Sequence, residues 1–128
     1  MTPDVRHKHL VVRAEISNPP MASNPAKADG FLNKLSCIAH GFYIRQETAG
    51  WMKGLIERIH MKTMFGPKAE YCQVEGNRGM TAFAIIETSH IVLHTWDECS
   101  PAILQLDVYT CSDLDVEDVL DELAWFEP

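Results

Sequence analysis

The chain has 128 residues, of which 46% are hydrophobic and 23% are charged, and its net charge is −7. This length suits a single two-layer core, so we predict one domain over residues 1–128. The acidic balance argues against nucleic acid or an anionic membrane as the main partner, and no apolar run approaches the roughly 20 residues of a membrane-spanning helix.

The N-terminal sequence and the cysteines bear on the compartment. The opening stretch MTPDVRHKH has no apolar signal core, which predicts a cytoplasmic protein. The four cysteines are scattered, with no C-x-x-C pair. In a cytoplasmic chain this pattern indicates free thiols and argues against a disulfide framework or a zinc ribbon.

The first half of the chain predicts one strand and two helices. Residues 7–16 are rich in β-branched and apolar side chains and predict a strand, and the Pro/Ser/Asn-rich stretch 17–30 predicts a loop. Residues 31–44 are ambiguous but suit a short helix that Gly41 could end. A clearer helix follows at roughly 47–62, where apolar residues recur at helical spacing.

The second half is dominated by strand patterns. The sequence FGPK at 65–68 predicts a break, 69–75 alternates weakly as a strand, and EGNRG at 75–79 predicts a turn. Stronger strand patterns then follow in close succession, with DECSP as a turn between the last two. These three strands are predicted at 80–88, 89–96 and 102–110.

The acidic stretch 113–126 predicts an amphipathic helix, with Asp113 or Asp115 as its N-cap. Four apolar residues of this stretch are expected to face the sheet: Leu114, Val119, Leu120 and Leu123. Helices packed on one face of an antiparallel sheet, in a two-layer α+β sandwich, account most economically for this order of elements.

Four polar residues on the predicted strands are candidates for chemistry: Thr81, Ser89, His94 and Cys111. If these strands pair as neighbours, the four side chains could converge at one end of the sheet. A hydroxyl, an imidazole and a thiol are the groups needed to attack a carbonyl carbon and to move protons.

The histidines raise the question of a metal. His7 and His9 share one face of a strand, and so do His90 and His94, because side chains repeat every two residues. No carboxylate or thiolate stands at a motif spacing from either pair, so we predict no metal site.

Two motifs resemble a known family. GMTAFAIIETSHIVLHTWDE (79–98) and LDVYTC (106–111) are similar to the core of the bacterial and archaeal S-adenosylmethionine decarboxylases, which depend on a pyruvoyl group. That family shows Glu-Ser-His, then Ile-His-Thr-Trp-Pro-Glu, then Asp-Val/Leu-Phe-Thr-Cys. The resemblance covers roughly residues 76–113 and implies the family's fold and activity.

The resemblance implies a self-cleaving chain. The family cuts itself immediately before a serine, here between Thr88 and Ser89, and converts that serine into a pyruvoyl cofactor that condenses with the substrate amine. By position, His94 assists processing, Thr81 is the family's hydroxyl on the preceding strand, and Cys111 donates a proton after CO2 has left. The product would supply aminopropyl groups for spermidine.

The resemblance also implies a substrate site and a homodimer whose active sites lie near the interface. Trp96 and Glu98 stand where the family contacts the nucleoside, Glu98 being suited to the ribose hydroxyls. Glu75 aligns with the aromatic residue that stacks on adenine, so we count it among the substrate-binding residues. Its negative charge motivates an alternative, in which a pyruvoyl enzyme acts on arginine or ornithine.

Thr88 is also a departure from the family, which has Glu before the serine. One alternative is therefore a non-processing homologue that keeps the fold and acts as a binding or partner subunit. Another is cleavage before Thr88, leaving a 2-oxobutanoyl group. A shift by one residue is expected to turn that group to the sheet face away from His94, which favours Ser89.

Overall fold

A computed structural model of the protein describes residues 6–127, in which five strands form one antiparallel sheet and two helices pack on one of its faces. The predicted α+β class is confirmed. Short 3₁₀ turns lie at Pro25–Lys27 and Ala124–Phe126. In chain order the elements are β1 (Lys8–Ile16), α1 (Phe31–Arg58), β2 (Thr63–Cys72), β3 (Gly79–Ile86), β4 (Ser89–Trp96), β5 (Ala102–Thr110) and α2 (Val116–Leu123).

The sheet has the strand order β1-β5-β4-β3-β2, so β4 occupies its centre. Side chains on successive residues of a strand point to opposite faces. On β4, Ile91 and Leu93 are fully buried against the helices, whereas His90 and His94 lie on the other face. We call the face that the helices cover the inner face, and the opposite face the outer face.

The core lies between the inner face and the helices. Trp51, Met52 and Leu55 of α1 pack on the strands, and the Trp51 indole nitrogen donates to the carbonyl oxygen of Glu122 at 2.8 Å, which ties α2 to α1. The strand residues of this core are Ile16, Ala82, Ala84, Ile86, Ile91, Leu93, Ala102, Leu104, Leu106 and Val108.

The two helices predicted at 31–44 and 47–62 are one continuous helix, α1, so the expectation that Gly41 ends a helix is wrong. A glycine inside a helix costs about 1 kcal/mol relative to alanine, which packing can offset. Gly41 is buried, and a Cβ there would lie 3.9 Å from the Cβ of Ala22.

The predicted break at FGPK is also wrong, because these four residues lie inside β2, which begins at Thr63 and not at 69. Gly66 adopts φ +90, where a Cβ would lie 3.0 Å from the carbonyl oxygen of Phe83, and the register with β3 shifts between Phe65 and Lys68. Because β2 is an edge strand, a proline at such a bulge removes no hydrogen bond that the sheet needs.

The C-terminal helix is confirmed, and Asp115 caps it by accepting a hydrogen bond from the backbone N–H of Glu117 at 3.0 Å. Val119 is fully buried, and Leu114 and Leu123 pack against the core. Leu120 was expected to face the sheet but is 43% exposed, because neighbouring residues of a helix point about 100° apart.

The predicted strands at 89–96 and 102–110 are confirmed, while β3 ends at Ile86, two residues before its predicted end. Residues 1–5 and 128 of the predicted single domain lie outside the described residues, so that domain assignment stays a prediction. Between residues 6 and 127, no helix is both long and apolar enough to cross a membrane.

Candidate functional site

A two-residue turn, Glu87–Thr88, joins β3 to β4 and places Ser89 at the first position of β4. Ser89 is 7% exposed and lies on the inner face, paired with Ile86. Thr88 has φ 54, in the left-handed region that a β-branched residue rarely adopts. Its hydroxyl donates to the carbonyl oxygen of Glu87 at 2.7 Å. The backbone is therefore strained directly before Ser89.

Cys111, just past the end of β5, contacts both sides of the Thr88–Ser89 peptide bond. Its backbone N–H donates to Ser89 Oγ at 3.2 Å, and its Sγ donates to the carbonyl oxygen of Thr88 at 3.5 Å. One contact orients the hydroxyl, and the other polarises the preceding carbonyl. We call Thr88, Ser89 and Cys111 the junction cluster.

A second group lies on the outer face. Thr81 and His94 stand directly opposite each other on β3 and β4, with Thr81 Oγ1 and His94 Nδ1 2.9 Å apart. This contact fixes the orientation of the imidazole. The Trp96 ring lies 6.0 Å from that of His94, and the Trp96 indole nitrogen donates to Asn77 Oδ1 at 2.9 Å.

These side chains border a cavity of about 250 Å³, which we call the imidazole pocket. Asn77 was read from the sequence only as part of a turn, and its contact with Trp96 reveals it as a wall of this pocket. The lining residues are Cys72, Asn77, Gly79, Thr81, His94, Thr95 and Trp96.

The structure brings Thr81 to His94 and Ser89 to Cys111, but it separates the two pairs. Ser89 and His94 are five residues apart on β4, roughly 17 Å at about 3.3 Å per residue. An odd spacing also puts them on opposite faces. The expected convergence of all four side chains is therefore wrong within one chain, as is the assumption that Ser89 shares the face of His94.

Glu98 holds the turn that precedes β3. Its two carboxylate oxygens accept backbone N–H groups, Oε1 from Arg78 at 2.8 Å and Oε2 from Gly76 at 3.0 Å. These hydrogen bonds, that of Arg78 first, keep the pKa of the Glu98 carboxyl below its ordinary value. Each oxygen can accept a further hydrogen bond, so a contact with ribose stays a prediction. Glu75 lies exposed in this turn.

A polar network that no sequence motif indicates lies next to the imidazole pocket. The Tyr71 hydroxyl donates to Asp97 Oδ2 at 2.5 Å, and Arg78 donates to the carbonyl oxygen of Ala22 at 3.0 Å. Burial and the hydrogen bond to Asp97 raise the pKa of Tyr71 to about 12. Asp97 stands where the family has proline, so this departure supplies an anchor for β2.

Three histidines of the outer face contact Asp107 or Tyr109, which lie on β5. His9 Nε2 lies 2.8 Å from Asp107 Oδ2, His90 Nε2 lies 3.6 Å from Asp107 Oδ1, and the His90 ring stacks on Tyr109. His7 also contacts the Tyr109 hydroxyl. No group of three or more His, Cys, Asp or Glu side chains within residues 6–127 is arranged to hold a metal ion.

Comparison with known proteins gives a family match over most of the chain. The model of the family described as S-adenosylmethionine decarboxylase matches residues 37–126, which is more than half of the 128 residues. The match includes α1 from Cys37 onward, the four strands β2 to β5, and α2.

Individual relatives match a much shorter segment. The S-adenosylmethionine decarboxylase proenzyme of Pyrobaculum islandicum is 54% identical over 37 residues, covering 29% of this chain and 28% of the relative. The proenzyme of Pyrobaculum arsenaticum is 51% identical over 37 residues, with the same two shares. That of Pyrobaculum neutrophilum is 51% identical over 35 residues, or 27% of each chain. Each match thus spans less than a third of either protein.

Proposed function

The chain belongs to the S-adenosylmethionine decarboxylase family, and from that membership we propose that it is a self-processing, pyruvoyl-dependent decarboxylase of S-adenosylmethionine. The product would be an aminopropyl donor for spermidine. The observation that carries the proposal is the junction cluster, in which Cys111 contacts both the Ser89 hydroxyl and the carbonyl that this hydroxyl would attack.

The junction cluster supplies the parts for the acyl shift. Ser89 Oγ adds to the carbonyl carbon of Thr88, the C–N bond between the two residues breaks, and the nitrogen takes the hydroxyl proton. Thr88 is then esterified to Ser89. The Cys111 thiol lies 3.5 Å from the oxygen on which negative charge develops, so it can stabilise that charge.

Elimination follows at the same residue. The Cα proton of Ser89 leaves, the Cβ–O bond breaks and the carboxylate of Thr88 is released. Addition of water and loss of ammonia then give the pyruvoyl group at the new N-terminus. The residues present fit this group, because its serine precursor is buried beside a backbone N–H and a thiol. The pyruvoyl ketone supplies an electron sink for the loss of CO2 from a bound amino acid.

The imidazole pocket suits the substrate and the proton transfers. The hydrogen bond between Thr81 Oγ1 and Nδ1 of His94 occupies that nitrogen and leaves Nε2 as the ring nitrogen available for a proton transfer. Trp96 and Asn77 offer an aromatic surface and an amide to a nucleoside. Cys111 lies beside the future pyruvoyl position, where a thiol can donate a proton to the decarboxylated carbon.

The separation of the two groups supports a homodimer with shared sites. The junction cluster lies at the end of the sheet formed by Ile86 and Ser89, and the imidazole pocket lies near the opposite end, at Gly79 and Trp96. In a two-fold pair joined through the outer faces with antiparallel strands, the junction end of one copy lies beside the pocket end of the other. Ser89 is the first residue of β4, at the very end of the sheet, so the partner's pocket reaches it around this end and not through the sheet. Symmetry then creates two equal sites, each built from both chains.

The outer face offers apolar surface for such pairing. Val11 is 52% exposed, and Phe65 and Ile85 are each 47% exposed on this face. Covering them with a second sheet would remove apolar side chains from water, which is the main favourable contribution to subunit association.

Carboxyl-labelled substrates test the activity. The cleaved protein is expected to release CO2 from S-adenosylmethionine and to release none from arginine or ornithine. Release from arginine or ornithine alone would favour the alternative that Glu75 motivates. A protein that neither cleaves nor releases CO2 would favour the non-processing alternative that Thr88 motivates.

The left-handed Thr88 gives a further prediction about processing. Because cleavage makes Thr88 a chain terminus, it releases backbone strain of about 1–3 kcal/mol. Thr88→Asn is expected to slow cleavage about tenfold, since asparagine tolerates positive φ. Thr88→Val, which stays β-branched but loses the hydroxyl, is expected to cleave at nearly the wild-type rate. Intact-mass time courses measure both rates.

Stability provides the check on this explanation. In a Ser89→Ala background that cannot cleave, Thr88→Asn is expected to raise the free energy of unfolding by about 1 kcal/mol, and Thr88→Val is expected to leave it nearly unchanged. Faster cleavage in the asparagine variant, or a loss of stability, would contradict a role for strain.

A further inference from the structure

The first four turns of α1 expose an unusual amount of apolar surface. In this half of the helix only Gly41 is buried, where the helix rests on the loop around Ala22. Six large apolar side chains are between 45% and 76% exposed. They are Phe31, Leu32, Leu35, Ile38, Phe42 and Tyr43, and we call them the α1 stripe.

The size of the α1 stripe exceeds what a surface ordinarily carries. Fully exposed side chains of this kind offer about 150–250 Å² each, so the partly exposed set presents on the order of 800 Å². The largest apolar patch on a typical monomer is about 300–600 Å². One side of a standard protein interface buries about 800 Å². The α1 stripe therefore has the area of one half of a stable interface.

Its spacing fits another helix. Phe31, Leu35, Ile38 and Phe42 alternate in steps of four, three and four, which is the spacing of the contact seam between two packed helices. At about 100° per residue, their side chains leave the helix within a band of roughly 60°. The order of residue types is the same from either end of the set, with an aromatic residue at each end and two branched aliphatic residues between them.

This symmetry is what a two-fold contact requires. In an antiparallel pair of identical helices centred between Ser36 and Cys37, Phe31 of one copy meets Phe42 of the other, and Leu35 meets Ile38. We propose that the α1 stripe is a docking surface for a second copy of this chain, paired in this antiparallel arrangement.

The charges around the α1 stripe agree with self-pairing. The stretch from 30 to 46 contains no acidic residue, although the whole chain has a net charge of −7. Lys34 would lie opposite Ala39 of the other copy, so no like charges oppose each other across the seam. Antiparallel pairing places the two folded bodies at opposite ends of the helix pair.

This contact is separate from the pairing through the outer sheet face. Both helices pack on the inner face, so the α1 stripe and the outer face can be occupied together. Two different two-fold contacts on one chain close into an assembly of four copies when their axes cross at right angles, which is the arrangement we expect. The inference does not depend on catalysis, because it rests on side chains distant from Ser89 in the chain.

Sedimentation of the full chain tests the proposal. The wild type is expected to sediment as four copies, and Ile38→Glu is expected to halve that mass and weaken this association at least about a hundredfold. Asn33→Glu is the matched control, because it adds the same charge in the same half of α1 but away from the stripe, and it is expected to leave the mass unchanged. Circular dichroism melts verify folding, which exposed positions should preserve.

Cross-linking tests the antiparallel arrangement. In a Cys37→Ser background, Leu35→Cys mixed with Ile38→Cys is expected to form a disulfide between unlike chains, identified by mass spectrometry of the linked peptides. Leu35→Cys alone is expected not to link to itself. An unchanged mass in Ile38→Glu would overturn the proposal. A disulfide between two Leu35→Cys chains would also overturn it. So would binding of vesicles of anionic phospholipid by the wild type but not by Ile38→Glu.

Discussion

Under denaturing conditions the purified protein is expected to separate into two chains, residues 1–88 and 89–128, whereas Ser89→Ala is expected to remain one chain of 128 residues. The physical reason is that the acyl shift needs a nucleophile on the residue after the scissile carbonyl, and alanine has none. The effect is therefore all or none. Intact mass after prolonged incubation measures it, and the smaller chain should be blocked to Edman degradation.

Ser100→Ala is the matched control, because Ser100 is an exposed serine in the turn before β5. It is expected to cleave like the wild type. Ser89→Ala leaves the Cys111 N–H without its acceptor, at a cost of about 1 kcal/mol, so the variant should stay folded. Cleavage that persists in Ser89→Ala would remove Ser89 from the mechanism. If that cleavage falls before Thr88, it would support the alternative in which Thr88 gives a 2-oxobutanoyl group.

Two inactive variants are expected to restore cleavage when mixed. Ser89→Ala lacks the nucleophile, and His94→Ala is expected to lose about 10²–10⁴-fold in processing rate through loss of its proton-transfer group. A mixed dimer contains one site that combines Ser89 of one chain with His94 of the other. After random exchange of subunits, about a quarter of all sites should be intact, because half of the dimers are mixed and each has one intact site.

Mass spectrometry can identify which chain is cut, and only the His94→Ala chain should be. The control mixes His94→Ala with Thr81→Ala, since both changes damage the imidazole pocket and leave the junction cluster intact. In a mixed dimer of these two variants neither imidazole pocket is intact, because one chain lacks His94 and the other lacks Thr81. Failure of the first mixture to cleave, with subunit exchange verified by native mass spectrometry, would refute the shared site. Cleavage of Ser89→Ala chains would refute it as well.

Because Ser89 and His94 lie far apart, a single chain does not contain a complete candidate site. The sequence places both residues on β4, and the two-residue period of a strand already puts positions 89 and 94 on opposite faces. What the sequence does not reveal is which face the helices cover. Because the helices cover the inner face, Ser89 is buried beside Cys111, and His94 lies at the imidazole pocket.

The sequence by itself determined the elements whose patterns are local. Alternation of apolar residues predicted β4 and β5 with correct bounds, and Asp115 was one of two predicted caps for α2. The motifs at 79–98 and 106–111 identified the family, because catalytic side chains at fixed spacings leave a recognisable pattern. Strand periodicity and helix capping depend on neighbours within a few residues, which is why they can be read from the chain alone.

Only the tertiary structure decided the features that depend on distant packing. It made α1 continuous through Gly41, which the loop at Ala22 covers, and it carried β2 through Gly66, beside the carbonyl oxygen of Phe83. It also set the strained φ of Thr88 and directed the Cys111 thiol at the Thr88 carbonyl oxygen. These outcomes depend on contacts between residues far apart in sequence, and the energies of such contacts override local preference.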